Sequence, residues 1–158
     1  MTRYLYSKLT LAFFAGLGLS VSAFAAELED RPSADPNDPL SISFVISKAK
    51  SREGQVLCGL YEQEEKWLSR DYFQGAKSEI DEHGRARCVF RGIPAGSYAI
   101  SAFHDLDRDN QLDRKIFGIP SEPYCASRNA RRAFGPPRWR DAVFSFAGAT
   151  PIELNAAF

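Results

Sequence analysis

A chain of 158 residues with 44% hydrophobic and 25% charged residues has the make-up of one soluble globular domain. That balance excludes a disordered chain, a collagen-like repeat and a polytopic membrane protein. Its 20 basic residues are matched by 20 acidic ones, whereas a dedicated nucleic-acid binder carries a basic excess.

Residues 1–25 read as a secretory signal peptide. Arg3 and Lys8 form a positive n-region, Leu9 to Leu19 is an apolar run broken by Thr10, Gly16 and Gly18, and Ala23-Phe24-Ala25 is a cleavage signal. The run is shorter than the roughly 20 apolar residues of a membrane-spanning helix, so no span is expected after cleavage. No Cys follows it to carry a lipid. The expected location is therefore periplasmic or secreted. Both charges removed with the leader are basic, which leaves a mildly acidic chain. Residues 26–39 (AELEDRPSADPNDP) are polar and Pro-rich, a flexible lead-in to a single domain over residues 40–158.

Strand signals then recur between turn clusters. Ser41 to Ser47 places Ile42, Phe44 and Ile46 on one face. Gln55 to Tyr61 follows a Glu53-Gly54 turn and aligns Val56, Cys58 and Leu60. Glu62 to Gln74 reads as a short helical turn docked on the core by Trp67, Leu68, Tyr72 and Phe73. Ala86 to Ile93 and Ser97 to His104 follow turns at His83-Gly84 and Pro94-Ala95-Gly96, the latter strand aligning Tyr98, Ile100 and Ala102. Ala142 to Phe146 and Ile152 to Phe158 close the chain, with Ile152, Leu154, Ala156 and Phe158 on one face. About seven short strands in roughly 100 residues predict an all-β, two-sheet sandwich with one buried face per sheet. The aromatic residues supply its packing; nothing in their spacing selects a carbohydrate-stacking row.

Cys58, Cys88 and Cys125 allow three single pairings with one thiol left over. Cys58–Cys88 is favoured, because both lie in strand-like runs while Cys125 lies in a Pro- and Arg-bearing loop. Export makes such a bond permissible. Cys125 stays free, or pairs with another chain or with one of the other two.

The main chemical signal directly follows the Ser97–His104 strand. Asp105, Asp107, Asp109 and Asp113 fall at the first, third, fifth and ninth positions of a calcium loop. A hard dication takes six to eight oxygens, and a tight loop brings alternate carboxylates to one point. Asn110 stands where such a loop has Gly, and Asn tolerates the left-handed conformation. Ile116 stands where the bidentate acid belongs; Glu122 supplies an oxygen if the loop folds back. Arg108, Arg114 and Lys115 bring competing positive charge. The alternative is a polar Asx-type turn.

Residues 114–140 carry few strand signals, and a loop of that length in a compact domain is usually functional or disordered. Phe117, Ile119, Tyr124, Phe134 and Trp139 suggest that it packs back. Arg128, Arg131, Arg132, Arg138 and Arg140 read either as a patch for an anionic ligand (lipid headgroups, phosphate or an acidic polymer) or as a solvated face. Catalytic sets are thin. After leader removal the histidines are His83 in a turn and His104 at a strand end, where a hydrogen-bonded structural role competes with general base or metal ligand. Zinc spacing, a nucleophile elbow, a P-loop and a dinucleotide fingerprint are all missing from the sequence.

Several motifs in order resemble one exported bacterial family. They are Gly54-Gln55-Val56, Leu60-Tyr61, Gly92-Ile93-Pro94-Ala95-Gly96-Ser97-Tyr98-Ala99 and Phe103-His104-Asp105, then Phe117-Gly118-Ile119-Pro120-Ser121-Glu122, Ser127-Arg128-Asn129-Ala130 and Phe134-Gly135-Pro136-Pro137. The family is domain of unknown function 2141, and the resemblance runs from about Leu40 to Phe158. It implies an exported immunoglobulin-like or transthyretin-like sandwich and no established activity. Where the family turn reads His-Asp-Glu-Asn-x-Asn-Gly, this chain has Leu106, Asp107, Asp109 and Asn110, which adds alternate carboxylates. Where the family has Glu-Gly-Tyr-Gly, it has Glu122-Pro123-Tyr124-Cys125.

The expected function is an exported, non-enzymatic module that binds a ligand or partner in the cell envelope, with calcium in the acidic turn. The alternatives are a periplasmic hydrolase using His104 with Asp105 or Asp107, and an envelope structural protein.

Overall fold

Alternating apolar residues build two β-sheets in the computed structural model, which describes residues 38–158. The expected leader, and the lead-in up to residue 37, lie outside the described residues. Strands β1 (Ile42–Ser47), β4 (Ala86–Phe90) and β8 (Ile152–Ala157) form a three-stranded sheet in the order β4-β1-β8. Strands β2 (Gln55–Tyr61), β3 (Gln74–Ser78), β5 (Gly96–Asp105) and β6 (Tyr124–Ala126) form the second in the order β3-β2-β5-β6, and β7 (Phe144–Phe146) pairs with the start of β5. β1 runs antiparallel to β4 and parallel to β8, with Phe44 opposite both Cys88 and Leu154. The all-β sandwich expected from the sequence forms, with eight strands among the described residues rather than about seven.

Ile42, Phe44 and Ile46 of β1 meet Val56 and Leu60 of β2, Phe90 of β4 and Ile100 of β5 in a closed core. Each such burial stabilises the fold by about 1.5–3 kcal/mol. Cys58 of β2 and Cys88 of β4 form a disulfide across Cα atoms 6.4 Å apart, so the favoured pairing ties the two sheets together. Cys125 is free and buried. Burial pushes its thiol up to about 12, which removes the thiolate that a nucleophile needs.

A second cluster lies on the outer face of the larger sheet. There Ala99, Ala126, Ala130 and Ala142 are covered by Trp67 and Trp139, whose rings meet edge to face at 5.8 Å. Trp67 Nε1 donates to the Pro137 carbonyl at 2.8 Å, and Tyr61 Oη donates to the Ser69 carbonyl at 2.9 Å. The 62–74 segment holds only a 3-10 turn, Glu64–Lys66. Trp67 docks as expected, whereas Leu68, Tyr72 and Phe73 are exposed, although the Tyr72 and Phe73 rings lean on Tyr61 and Tyr98 at centroid distances of 6.5 and 6.0 Å.

Residues 114–140 contain β6 and the start of a one-turn helix, α1 (Trp139–Ala142). Ser127 anchors this stretch: its buried Oγ donates to the Ala142 carbonyl at 2.6 Å and accepts the Ile100 N–H at 3.0 Å. Ile119 and Phe134 do not pack back and stay exposed. Among the described residues no helix is long and apolar enough to cross a membrane.

Candidate functional site

β5 is ten residues long and carries His104 and Asp105 at its far end. Alternation sends Tyr98, Ile100 and Ala102 into the core, and His104 follows them inward. Asp105 begins the acidic loop, and its side chain is fully buried. Its carboxylate accepts the Gln55 side-chain amide at 2.8 Å and the N–H groups of Asp109 and Asn110, both at 3.1 Å. A buried carboxylate is tolerable when N–H donors satisfy it, and these three donors fix the loop's curvature.

The rest of the loop turns on short contacts. Asp107 Oδ1 accepts the Asp109 N–H at 3.2 Å, and Asp109 Oδ1 accepts the Gln111 N–H at 2.7 Å, both Asx-type turns. Asn110 sits at φ 64°, the left-handed conformation foreseen for it, and Arg108 at φ 63°. Carboxylate oxygens of Asp105, Asp107 and Asp109 come within 4.8 Å of one another, with Asp105 buried and the other two exposed. The Asp113 side chain stands outside this group; its contribution is main-chain.

Glu122 does fold back. It is 5% exposed, and its two oxygens accept the Leu106 N–H at 2.7 Å and the Asp113 N–H at 3.0 Å. Both ends of the loop thus hang on one carboxylate, so Glu122 acts as a brace. Pro120–Arg114 bridging and the Ser121 N–H on the Asp113 carbonyl at 2.9 Å close the same hairpin.

Two of the three cations expected to compete with a metal, Arg108 and Arg114, are engaged elsewhere. Arg108 donates to Glu79 at 2.8 and 3.0 Å and to the Gly54 carbonyl at 2.6 Å. The Arg108–Glu79 hydrogen bonding holds the Glu79 carboxyl below its ordinary value and raises Arg108. Arg114 donates to the Gly118 carbonyl at 3.1 Å. Lys77 Nζ donates to Asn110 Oδ1 at 2.5 Å and steadies the turn from β3. Gly54 completes the support: at φ 76° it lies so close under the loop that a Cβ would meet the Asp105 carbonyl oxygen at 2.1 Å.

His104 is 1% exposed. Its Nε2 lies 2.7 Å from the Glu53 carbonyl. A carbonyl only accepts, so Nε2 carries the proton. Nδ1 is buried without a hydrogen-bond partner, and the ring stacks on Phe158 at 5.9 Å. His83 is exposed on its turn beside Glu82. In the basic stretch, Arg128 and Arg131 donate to the Val143 and Ala157 carbonyls and Arg140 pairs with Asp141, so three of the five arginines hold local structure. Sequence reasoning missed Gln55. Its partner is 50 residues away and only the β2–β5 register, Gln55 opposite Asp105, brings them together.

No curated protein and no solved structure matches the chain. The family described as an uncharacterized protein conserved in bacteria, domain of unknown function 2141, matches residues 45–153, and the chain belongs to it.

Proposed function

We propose that the protein is an exported, non-enzymatic binding module of the cell envelope whose acidic loop takes up calcium and whose surface engages an anionic ligand or an envelope partner. The observation that carries this reading is the convergence of Asp105, Asp107 and Asp109 within 4.8 Å on a loop braced from both ends by Glu122. Three carboxylates on a preshaped turn, with loop carbonyls and water, meet the oxygen demand of a hard dication. The leader-like residues 1–25 and the Cys58–Cys88 bond support export to an oxidising compartment. Nothing favours the hydrolase reading, since His104 is sealed beneath Phe158 and spends one nitrogen on a carbonyl.

The test is thermal unfolding with EDTA and with calcium. Extracellular calcium modules bind at about 0.1–1 mM. Calcium at about ten times the dissociation constant adds about 1.4 kcal/mol, or about 5 °C for a domain of this size. The doubly substituted Asp107→Asn, Asp109→Asn protein should lose that rise while keeping its midpoint in EDTA, because both side chains are exposed. An unchanged midpoint for the unsubstituted protein at 10 mM calcium would make the loop a self-braced polar turn.

A further inference from the structure

A cavity of about 370 Å³ opens between β6 and the end of β8. That volume falls in the range of small-molecule sites. Lys50 and Arg131 stand on its wall with Ser121 and Tyr124, and Pro123 and Phe158 supply the apolar surface. Neither cation has a carboxylate partner among the described residues. Lys50 makes no side-chain hydrogen bond there, and Arg131 makes one, to the Ala157 carbonyl. Glu122 also borders the cavity, but both its oxygens are turned to the Leu106 and Asp113 N–H groups. The Phe158 ring is backed by the stacked, buried His104.

We propose that this cavity binds a small organic anion. A carboxylate or phosphate head sits between Lys50 and Arg131, within reach of the Ser121 and Tyr124 hydroxyls, and an apolar body lies against Pro123 and Phe158. Two unpaired cations beside an aromatic wall suit that chemistry: the charges attract the head, and the ring buries the body. The site rests on the reading of the domain as a binding module but not on calcium, since no lining group belongs to the Asp105–Asp107–Asp109 cluster.

The experiment is an amide chemical-shift titration of the purified protein with phenyl phosphate in EDTA. Saturable shifts are expected at residues 50, 121, 122, 124, 131 and 158, with inorganic phosphate binding more weakly. Lys50→Gln should weaken phenyl phosphate about fivefold, as should Arg131→Gln. Lys50 is exposed and unbonded, so its variant keeps the fold if the arginine variant does not. A parallel arm uses vesicles containing anionic phospholipid. Pelleting that is lost in Lys50→Gln assigns the head to a lipid; shifts with phenyl phosphate but no pelleting assign it to a soluble ligand. The absence of both at 10 mM ligand, or binding that neither variant weakens, overturns the proposal. EDTA separates that outcome from a failure of calcium binding.

Discussion

Replacing Glu122 by Ala should unlatch the acidic loop without touching the sandwich core. Its carboxylate accepts the Leu106 and Asp113 N–H groups at 2.7 and 3.0 Å, and the side chain is 5% exposed. A hydrogen bond to a charged group contributes about 1.5–3 kcal/mol. The two donors lie near the surface and water enters once the carboxylate is gone, so the loss should be about 2–4 kcal/mol. With a urea slope of about 1.5 kcal/mol per molar, the midpoint falls by about 1.3–2.7 M. Urea unfolding followed by tryptophan fluorescence is the assay, with Trp67 and Trp139 as reporters on the far side of the sheet. Glu122→Gln keeps one acceptor but sets an amide donor against the other N–H, so it should lose at least half as much. A midpoint for Glu122→Ala within about 0.3 M of the unsubstituted protein would refute the brace.

Other expectations follow from the same structure. Reducing the Cys58–Cys88 bond, which closes a separation of 30 residues, should cost about 3–4 kcal/mol by the chain-entropy relation, read as a lower urea midpoint in reductant. Cys125, with its thiol pushed up to about 12, should resist a thiol reagent at pH 8 in the native protein and react on unfolding; rapid native labelling would contradict its burial. Gly54→Ala should destabilise by more than about 2 kcal/mol in the same urea assay, because φ is 76° and the new Cβ would meet the Asp105 carbonyl oxygen at 2.1 Å. The Asp81 carboxyl is held below its ordinary value chiefly by the Arg85 N–H. Its stabilisation is therefore present above the ordinary carboxylate range and disappears as pH falls through the lowered folded-state value. Asp81→Asn should flatten that acid limb of the stability curve.

The strands that were legible in the sequence are those with an apolar stripe. Ile42, Phe44 and Ile46 announce β1, and Ile152 and Leu154 announce β8, because each stripe must be buried against a partner sheet. β3 (QGAKS) carries no such stripe. It is an edge strand held by pairing with β2, and its outward Gly75 is covered by the Tyr72 ring, which a Cβ there would meet at 2.7 Å. β6 has three residues, too few for any period to show. The acidic loop was legible as alternate carboxylates, and Asn110 as a residue able to turn left-handed. Its supports were only partly so. Glu122 was visible as an acid able to fold back, but its use as a brace depends on the 114–120 hairpin. Gln55 and Gly54 depend on how β2 pairs with β5, a relation between segments some fifty residues apart that no local pattern encodes.

Gln55, His104, Asp105 and Glu122 are all buried, and all lie at the same end of β5. Between the sheets the core is otherwise hydrocarbon, aromatic and sulfur. Two carboxylates kept out of water are a poor route to stability, since apolar replacements of buried ionic groups are often neutral or stabilising by about 1–4 kcal/mol. What these groups do achieve is shape: nearly every hydrogen bond they make ends on the backbone or side chains of residues 105–113. The same Glu122 that holds this loop also borders the Lys50–Arg131 cavity. Ser41, Ser43 and Ser127 are buried outside that group, but the buried carboxylates Asp105 and Glu122 both lie at this end of β5, and this is the end at which ligands should be sought.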